Sequence, residues 1–194
     1  MDESRLSPLG KALLQRIEFD PDEQLVTEIR KHPIGLVIIY ASGLSITVLL
    51  FLLLVVAPAL ITSPDALGLG IDITAIRPIL VLVGFFMTVL SLIATAIAAY
   101  LYVNNVVIVT SEKIAQVLYR TIFDRKISQL SIGDVQDVTV SQRGLLSHIF
   151  NYGTLVIETA GEQNNYDFTY TPQPYEAAKA IVGAHERNLV QYGN

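Results

Sequence analysis

PIGLVIIYASGLSITVLLFLLLVVAPALIT, residues 33–62, reads as one uninterrupted apolar helix, since no Asp, Glu, Lys or Arg occurs between Lys31 and Asp65. A second uncharged run opens with PILVLVGFFMTVLSLIATAIAAYLYV at Pro78 and continues to Ser111. At 1.5 Å rise, roughly 20 apolar residues cross a hydrocarbon core of about 30 Å, so each run is expected to span a membrane once. The predicted spans are residues 34–60 and 78–103. Composition agrees: 52% of the 194 residues are hydrophobic, 16% are charged and the mean hydropathy is +0.48, whereas soluble domains carry roughly 25% charged residues. The absence of Cys removes disulfide scaffolds and thiolate metal sites, and a net charge of −5 does not suit a nucleic-acid binder.

Lys and Arg near the span ends set the orientation. Arg16, Arg30 and Lys31 precede the first span, Lys113, Arg120, Arg125 and Lys126 follow the second, and the loop at 61–77 holds only Arg77. This pattern predicts a multi-pass protein of the cell membrane with both termini cytoplasmic and a short external loop. The first 30 residues lack the apolar core of a cleavable signal, so the first span is expected to be an uncleaved anchor. Neither span contains Asp, Glu, Lys, Arg or His, which argues against transport by this chain alone. Ala41 and Ser45 on the first span, and Ser91, Thr95 and Ala99 on the second, recur at four-residue spacing. Such spacing permits close helix contact, and packing of the hairpin on itself is the expected use.

Beyond residue 104 the pattern changes to short segments punctuated by turns: VVIVT (106–110), IAQVLY (114–119), ISQLSI (127–132), DVTVSQ (137–142), TLVIETA (154–160) and YDFTY (166–170). Six strands at this spacing indicate an antiparallel sandwich or barrel. After Pro172 and Pro174, the residues Ala178, Ile181, Val182, His185 and Leu189 recur at helical spacing, with Gly193 as the expected stop. Gly183 inside that helix costs about 1 kcal/mol relative to Ala unless it permits close approach to the strands. Upstream, Leu6, Leu9, Leu13, Leu14 and Ile17 share one helical face opposite Arg5, Lys11 and Arg16, as in an interfacial helix or one that docks on the domain or on another chain.

Residues 108–161, IVTSEKIAQVLYRTIFDRKISQLSIGDVQDVTVSQRGLLSHIFNYGTLVIETAG, resemble the pleckstrin-homology (PH) domain of small bacterial membrane proteins that carry a two-helix hairpin before the domain. The landmarks are Thr110 and Lys113 at the first turn, 134–138 leading into a Val-rich strand, SQRGLLSHIFNYG closing on Gly153, and the Thr159 to Gly161 hairpin. Glu23 and His32-Pro33 match the entry segment. Lys113 stands where Arg is common, and Thr121 where Gly is common. The resemblance implies a membrane helical hairpin joined to an α+β or all-β PH-like domain: a strongly bent antiparallel sheet or split barrel of about seven strands, capped by a C-terminal helix. Residues 24–30, QLVTEIR, either supply the seventh strand or extend the first helix.

No catalytic constellation, cofactor motif or metal-ligand set is evident, and a non-enzymatic role is expected. His32, His148 and His185 are far apart in sequence, and Asp134 and Asp137 read as turn and strand-edge acids rather than an acid/base pair. His32 beside Pro33 marks the point where the first helix enters the bilayer. Two candidate binding sites remain. Lys113, Arg120, Arg125 and Lys126 lie soon after the second span, where anionic headgroups attract each basic residue by about 1 kcal/mol. The resemblance implies the same turn, because eukaryotic PH domains grip inositol phosphates there. Seven basic and nine acidic residues from Glu112 onward make that version sparse. Leu145, Leu146, Ile149 and Phe150 would mark a lipid or partner contact if exposed, but their position between two strands predicts that they close a barrel end. The expected function is a binding module tethered at the inner membrane face for a protein, peptide or lipid headgroup, with homo-oligomerisation open. The alternative is an accessory or scaffold subunit of a larger membrane assembly.

Overall fold

The computed structural model describes residues 6–14, 23–60, 73–159 and 166–192. Most of the expected external loop, the expected Thr159 to Gly161 hairpin beyond Thr159, and Arg5, Arg16, Ile17 and Gly193 lie outside these residues. The chain divides into two compact units, Leu36–Tyr100 and a second made of Met1–Gly35 with Leu101–Asn194.

The first unit is built from α2 (Ile34–Phe51), a π-helical segment (Leu52–Val56), α3 (Ala57–Leu60) and α4 (Ile73–Val103). Helix α4 starts five residues before the predicted Pro78. Proline lacks one backbone donor, and near a helix start that loss is confined to a single bond. The helices meet at matched steps of an antiparallel register. A Cβ on Gly43 would collide with Thr95 Oγ1, Thr47 Oγ1 and Ser91 Oγ are 3.0 Å apart, and a Cβ on Gly84 would lie 2.6 Å from Leu54 Cβ. Ser91, Thr95 and Ala99 are therefore on or beside the packed face as expected. Ala41 and Ser45 are not: both are exposed, and Ser45 Oγ donates back to Ala41 O at 2.7 Å. Gly43 and Thr47 replace them.

Among the described residues, the second unit holds seven strands in two antiparallel sheets. The first has the order β1 (Leu25–Arg30), β2 (Val106–Thr110), β3 (Lys113–Tyr119), β4 (Arg125–Ser131). The second has the order β5 (Val135–Ser141), β6 (Tyr152–Thr159), β7 (Tyr166–Pro172). Residues 25–30 are thus the seventh strand and not a helix extension, paired so that Arg30 lies opposite Val106.

Strand β2 is buried along its whole length, which explains its unbroken apolar sequence. Side chains alternate along a strand, so Val107 and Val109 join Ile29, Leu155, Ile157 and Phe168 in the core, while Val106 and Ile108 join Ala115 and Val117 on the opposite face. That opposite face is covered in part by Leu9 of α1 (Pro8–Leu14). Ser7 caps α1 by accepting the Gly10 N–H at 3.0 Å, and it donates to Glu28 Oε1 at 2.5 Å and, through its backbone N–H, to Oε2 at 2.7 Å. The amphipathic N-terminal helix therefore docks on the first sheet.

Helix α6 (Pro174–Tyr192) packs on the core through Ala177, Ile181 and Ala184. The predicted stripe is corrected: Val182 and Leu189 are exposed, and His185 instead places Nδ1 2.7 Å from Ile132 O. Gly183 does not permit a close approach, because a Cβ there meets only Arg187 Nη1 at 3.5 Å. At Gly153 a Cβ would lie 2.9 Å from the Ser141 carbonyl and 3.1 Å from Pro174 Cγ. The two glycines predict opposite outcomes in thermal melts of the chain. Gly183→Ala stabilises by up to about 1 kcal/mol through helix propensity, and Gly153→Ala destabilises by about 1–3 kcal/mol through overpacking.

Candidate functional site

The site is organised around the points where the polypeptide leaves and re-enters the strand-rich unit. Strand β1 ends opposite Val106, and Lys31, His32 and Pro33 lead directly into α2; Tyr102 lies in the last turn of α4, just before Asn105 and β2. Tyr102 Oη donates to His32 O at 2.6 Å, and the His32 N–H donates to Tyr170 O at 2.6 Å. The His32 and Tyr152 rings are 5.5 Å apart, Tyr152 stacks on Tyr170 at 5.5 Å, and Tyr170 meets Tyr102 edge-on at 5.8 Å. Tyr170, Gln173 and Asn151 all adopt positive φ, and the Gln173 N–H donates to Asn151 O at 2.9 Å. Left-handed backbone at residues other than Gly costs free energy, so this corner is held by its surroundings.

Lys31 is pinned to this cluster. Its Nζ donates to Thr169 Oγ1 at 2.7 Å and to Thr169 O at 3.1 Å, and it lies 5.0 Å from the Phe168 ring centroid and 5.5 Å from that of Tyr102. Burial pushes its ammonium down to about 8, and burial also lowers the His32 imidazole.

Beside the cluster lies a cleft of about 450 Å³ on the outer side of the second sheet, lined by Ser141, Arg143, Ser147, Tyr152, Thr169 and Tyr170 among others. Its inventory is a guanidinium, hydroxyls and aromatic faces, which suits an anionic or hydrogen-bonding ligand. The α5 helix (Leu145–Ile149) forms the neighbouring wall and buries only Ser147, whose Oγ donates to Gly144 O at 2.7 Å. This overturns the expectation that the LLSHIF segment closes a barrel end. Leu145 is 75% exposed and Ile149 62%, with Leu146 and Phe150 about half exposed. A single helical turn anchored by one buried Ser has to turn its other side chains outward.

The four basic candidates do not form one group. Lys113 opens β3 at the β2–β3 turn, where its Nζ lies 3.7 Å from the carboxylate of fully buried Glu23. Thr110 Oγ1 donates to that carboxylate and accepts the Lys113 N–H at 2.9 Å. The resemblance landmarks Glu23, Thr110 and Lys113 are thus one structural lock, and Lys113 neutralises a charge that is costly to bury alone. Strand β3 then runs seven residues to Tyr119, roughly 20 Å at strand rise. Arg120, Arg125 and Lys126 lie at that far end. There the Arg125 guanidinium sits over the Tyr119 ring at 5.8 Å, and the Tyr119 N–H donates to Asn105 Oδ1 at 2.6 Å.

The β3–β4 turn holds two residues that the sequence reading missed. Thr121 Oγ1 accepts the Asp124 N–H at 2.9 Å and the Phe123 N–H at 3.2 Å, so a hydroxyl organises the turn. At its tip Phe123 is 96% exposed and Ile122 50%. An apolar pair inside an otherwise polar turn was the available signal.

Asp137 accepts the Val138 N–H at 2.8 Å and the Thr139 hydroxyl at 3.0 Å, as a strand-edge acid does. Among the described residues no group of three His, Cys, Asp or Glu side chains gathers to hold a metal ion.

Lys31 supplies a pH prediction. Between about 8 and its ordinary value of 10.5 the unfolded chain retains the Lys31 proton that the folded chain has released. The proton balance therefore makes this residue's contribution to stability rise with pH across that window. Thermal melts of the solubilised chain against Lys31→Met should show this upward slope in the parent and its loss in the variant. An identical pH dependence in both would contradict the assignment.

The sequence pattern of the bacterial PH domain matches residues 34–182. No curated protein matches the chain. Among solved structures, a DUF1696 family protein with a pleckstrin-homology domain from Shewanella loihica PV-4 is similar at 9% identity and a TM-score of 0.35, covering 42% of this chain and 70% of that one. Matched over well beyond half its length, the chain belongs to the bacterial PH domain family.

Proposed function

We propose that this chain is a non-enzymatic integral membrane protein whose two apolar helices hold a PH-like binding module at the inner face of the cell membrane, where it tethers a protein, peptide or lipid headgroup. The observation that carries this reading is where the helices are inserted. They interrupt the chain between β1 and β2, two strands hydrogen-bonded to each other with Arg30 opposite Val106. A segment that leaves and returns at adjacent points crosses a bilayer an even number of times, and among the described residues two helices are long and apolar enough to do so: Ile34–Leu60 and Thr74–Val103.

Only 11% and 6% of their most apolar windows are buried, and Leu44, Leu53, Phe85 and Phe86 are among the large side chains left outside. A core helix of a soluble protein would bury such residues, whereas lipid accepts them without cost. The excess of Lys and Arg on the flanking segments over the connecting loop supports cytoplasmic termini. Tethering raises the local concentration of the module, so weak contacts at the Arg143 cleft or along a strand edge suffice for binding.

Because the chain has no Cys, topology is testable with single replacements. In intact expressing cells a membrane-impermeant maleimide should label Ala66→Cys in the connecting segment, and should reach exposed Val190→Cys on α6 only after lysis. Labelling of both positions in intact cells would refute the proposed arrangement.

A further inference from the structure

We infer that the PH-like unit does not hang free on its tether but seats on the anionic leaflet through two apolar loops, the β3–β4 turn and α5. This inference rests on the membrane reading above.

Both loops lie at the end of the unit where the chain enters and leaves the apolar helices. The β3–β4 turn is fixed there because the Tyr119 N–H donates to Asn105 Oδ1, two residues beyond the end of α4. The α5 side is fixed there because Gln142 Nε2 donates to Tyr152 O at 3.1 Å and to Ser147 O at 3.3 Å, while the Tyr152 ring lies 5.5 Å from that of His32, two residues before α2. This end carries Ile122, Phe123, Leu145, Leu146, Ile149 and Phe150, all large, apolar and exposed, on both sheets. Apolar residues of this kind bury into the boundary between headgroups and acyl chains, and aromatic residues such as Tyr102, Tyr152 and Tyr170 suit the same depth.

Charge selects lipid over a protein occupant. Residues 120–126 and 142–151 hold four basic side chains, Arg120, Arg125, Lys126 and Arg143, against the single acid Asp124. The rest of the sequence from Glu112 onward holds three basic and eight acidic residues. An anionic leaflet therefore attracts this end and repels the remainder, and the attraction acts within a Debye length of about 8 Å. Lys113, locked to Glu23 at the other end of β3, takes no part.

The chain has no Trp, so single Trp reporters are unambiguous. The full chain would be reconstituted in bilayers of phosphatidylcholine with phosphatidylglycerol, carrying Phe123→Trp or Leu146→Trp. Val190→Trp serves as the aqueous reference, because neighbouring Asn188 reaches the Ser111 carbonyl at the β2–β3 turn. Phe85→Trp serves as the acyl-chain reference. The expected result is quenching by brominated lipid at 123 and 146, severalfold protection from acrylamide relative to 190, and weaker protection in pure phosphatidylcholine. Acrylamide access at 123 and 146 equal to that at 190 would overturn the inference and give the patch to a protein occupant. Bromolipid quenching at 85 alone rejects the seating and spares the hairpin, whereas its absence at 85 as well rejects the membrane reading itself.

Discussion

The hydrogen-bonded pairing of β1 with β2, which sets Arg30 against Val106, is the constraint on which the remaining architecture depends. It joins a strand from before the apolar helices to a strand from after them, so the N-terminal segment and the C-terminal region form one folding unit. It also brings the two ends of a 75-residue excursion, residues 31–105, side by side. Closing so long a loop is entropically costly for a flexible chain. Two helices packed antiparallel through Gly43 and Thr95, Thr47 and Ser91, and Leu54 and Gly84 remove much of that cost by holding the excursion folded back on itself.

The same pairing places β2 inside the first sheet, where both of its faces need cover. The core and α6 side covers Val107 and Val109, and α1 with Leu25, Tyr119 and Ile127 covers the side of Val106 and Ile108. Glu23 then locks the entry to β1 against the β2–β3 turn through Thr110 and Lys113. Desolvation of such a buried carboxylate offsets much of its ion-pair attraction. At the other end of the strands Lys31 and Tyr102 hold the entry segment, and there the unit presents the aromatic cluster, the Arg143 cleft and the apolar loops.

Much of this was legible in the sequence because it is periodic. Long uncharged runs, strands of five to eight residues between turn signals, and a helix after Pro174 are patterns that local chemistry repeats several times over. What the sequence hid was direction. Four-residue spacing of small residues exists on two faces of α2, and Ala41 and Ser45 mark the outward one while Gly43 and Thr47 mark the contact. The α5 segment is a single turn, too short for periodicity to separate inside from outside, so its exposure followed only from Ser147 being the buried member. Lys113 and Arg120 are close in sequence yet lie at opposite ends of β3. Ile122 and Phe123 escaped notice because an apolar pair in a turn has no partner pattern to announce it.

Excising the helices tests the central claim most directly. If the β1–β2 pairing holds both ends of a lipid-borne hairpin, residues 34–103 are replaceable by a short Gly-rich turn. The shortened chain is predicted to be soluble without detergent, with an antiparallel-sheet circular dichroism spectrum and a cooperative melt, while the full chain stays in the membrane fraction after carbonate washing. A shortened chain that is unfolded or still needs detergent, or a full chain that washes free of membranes, would contradict the account.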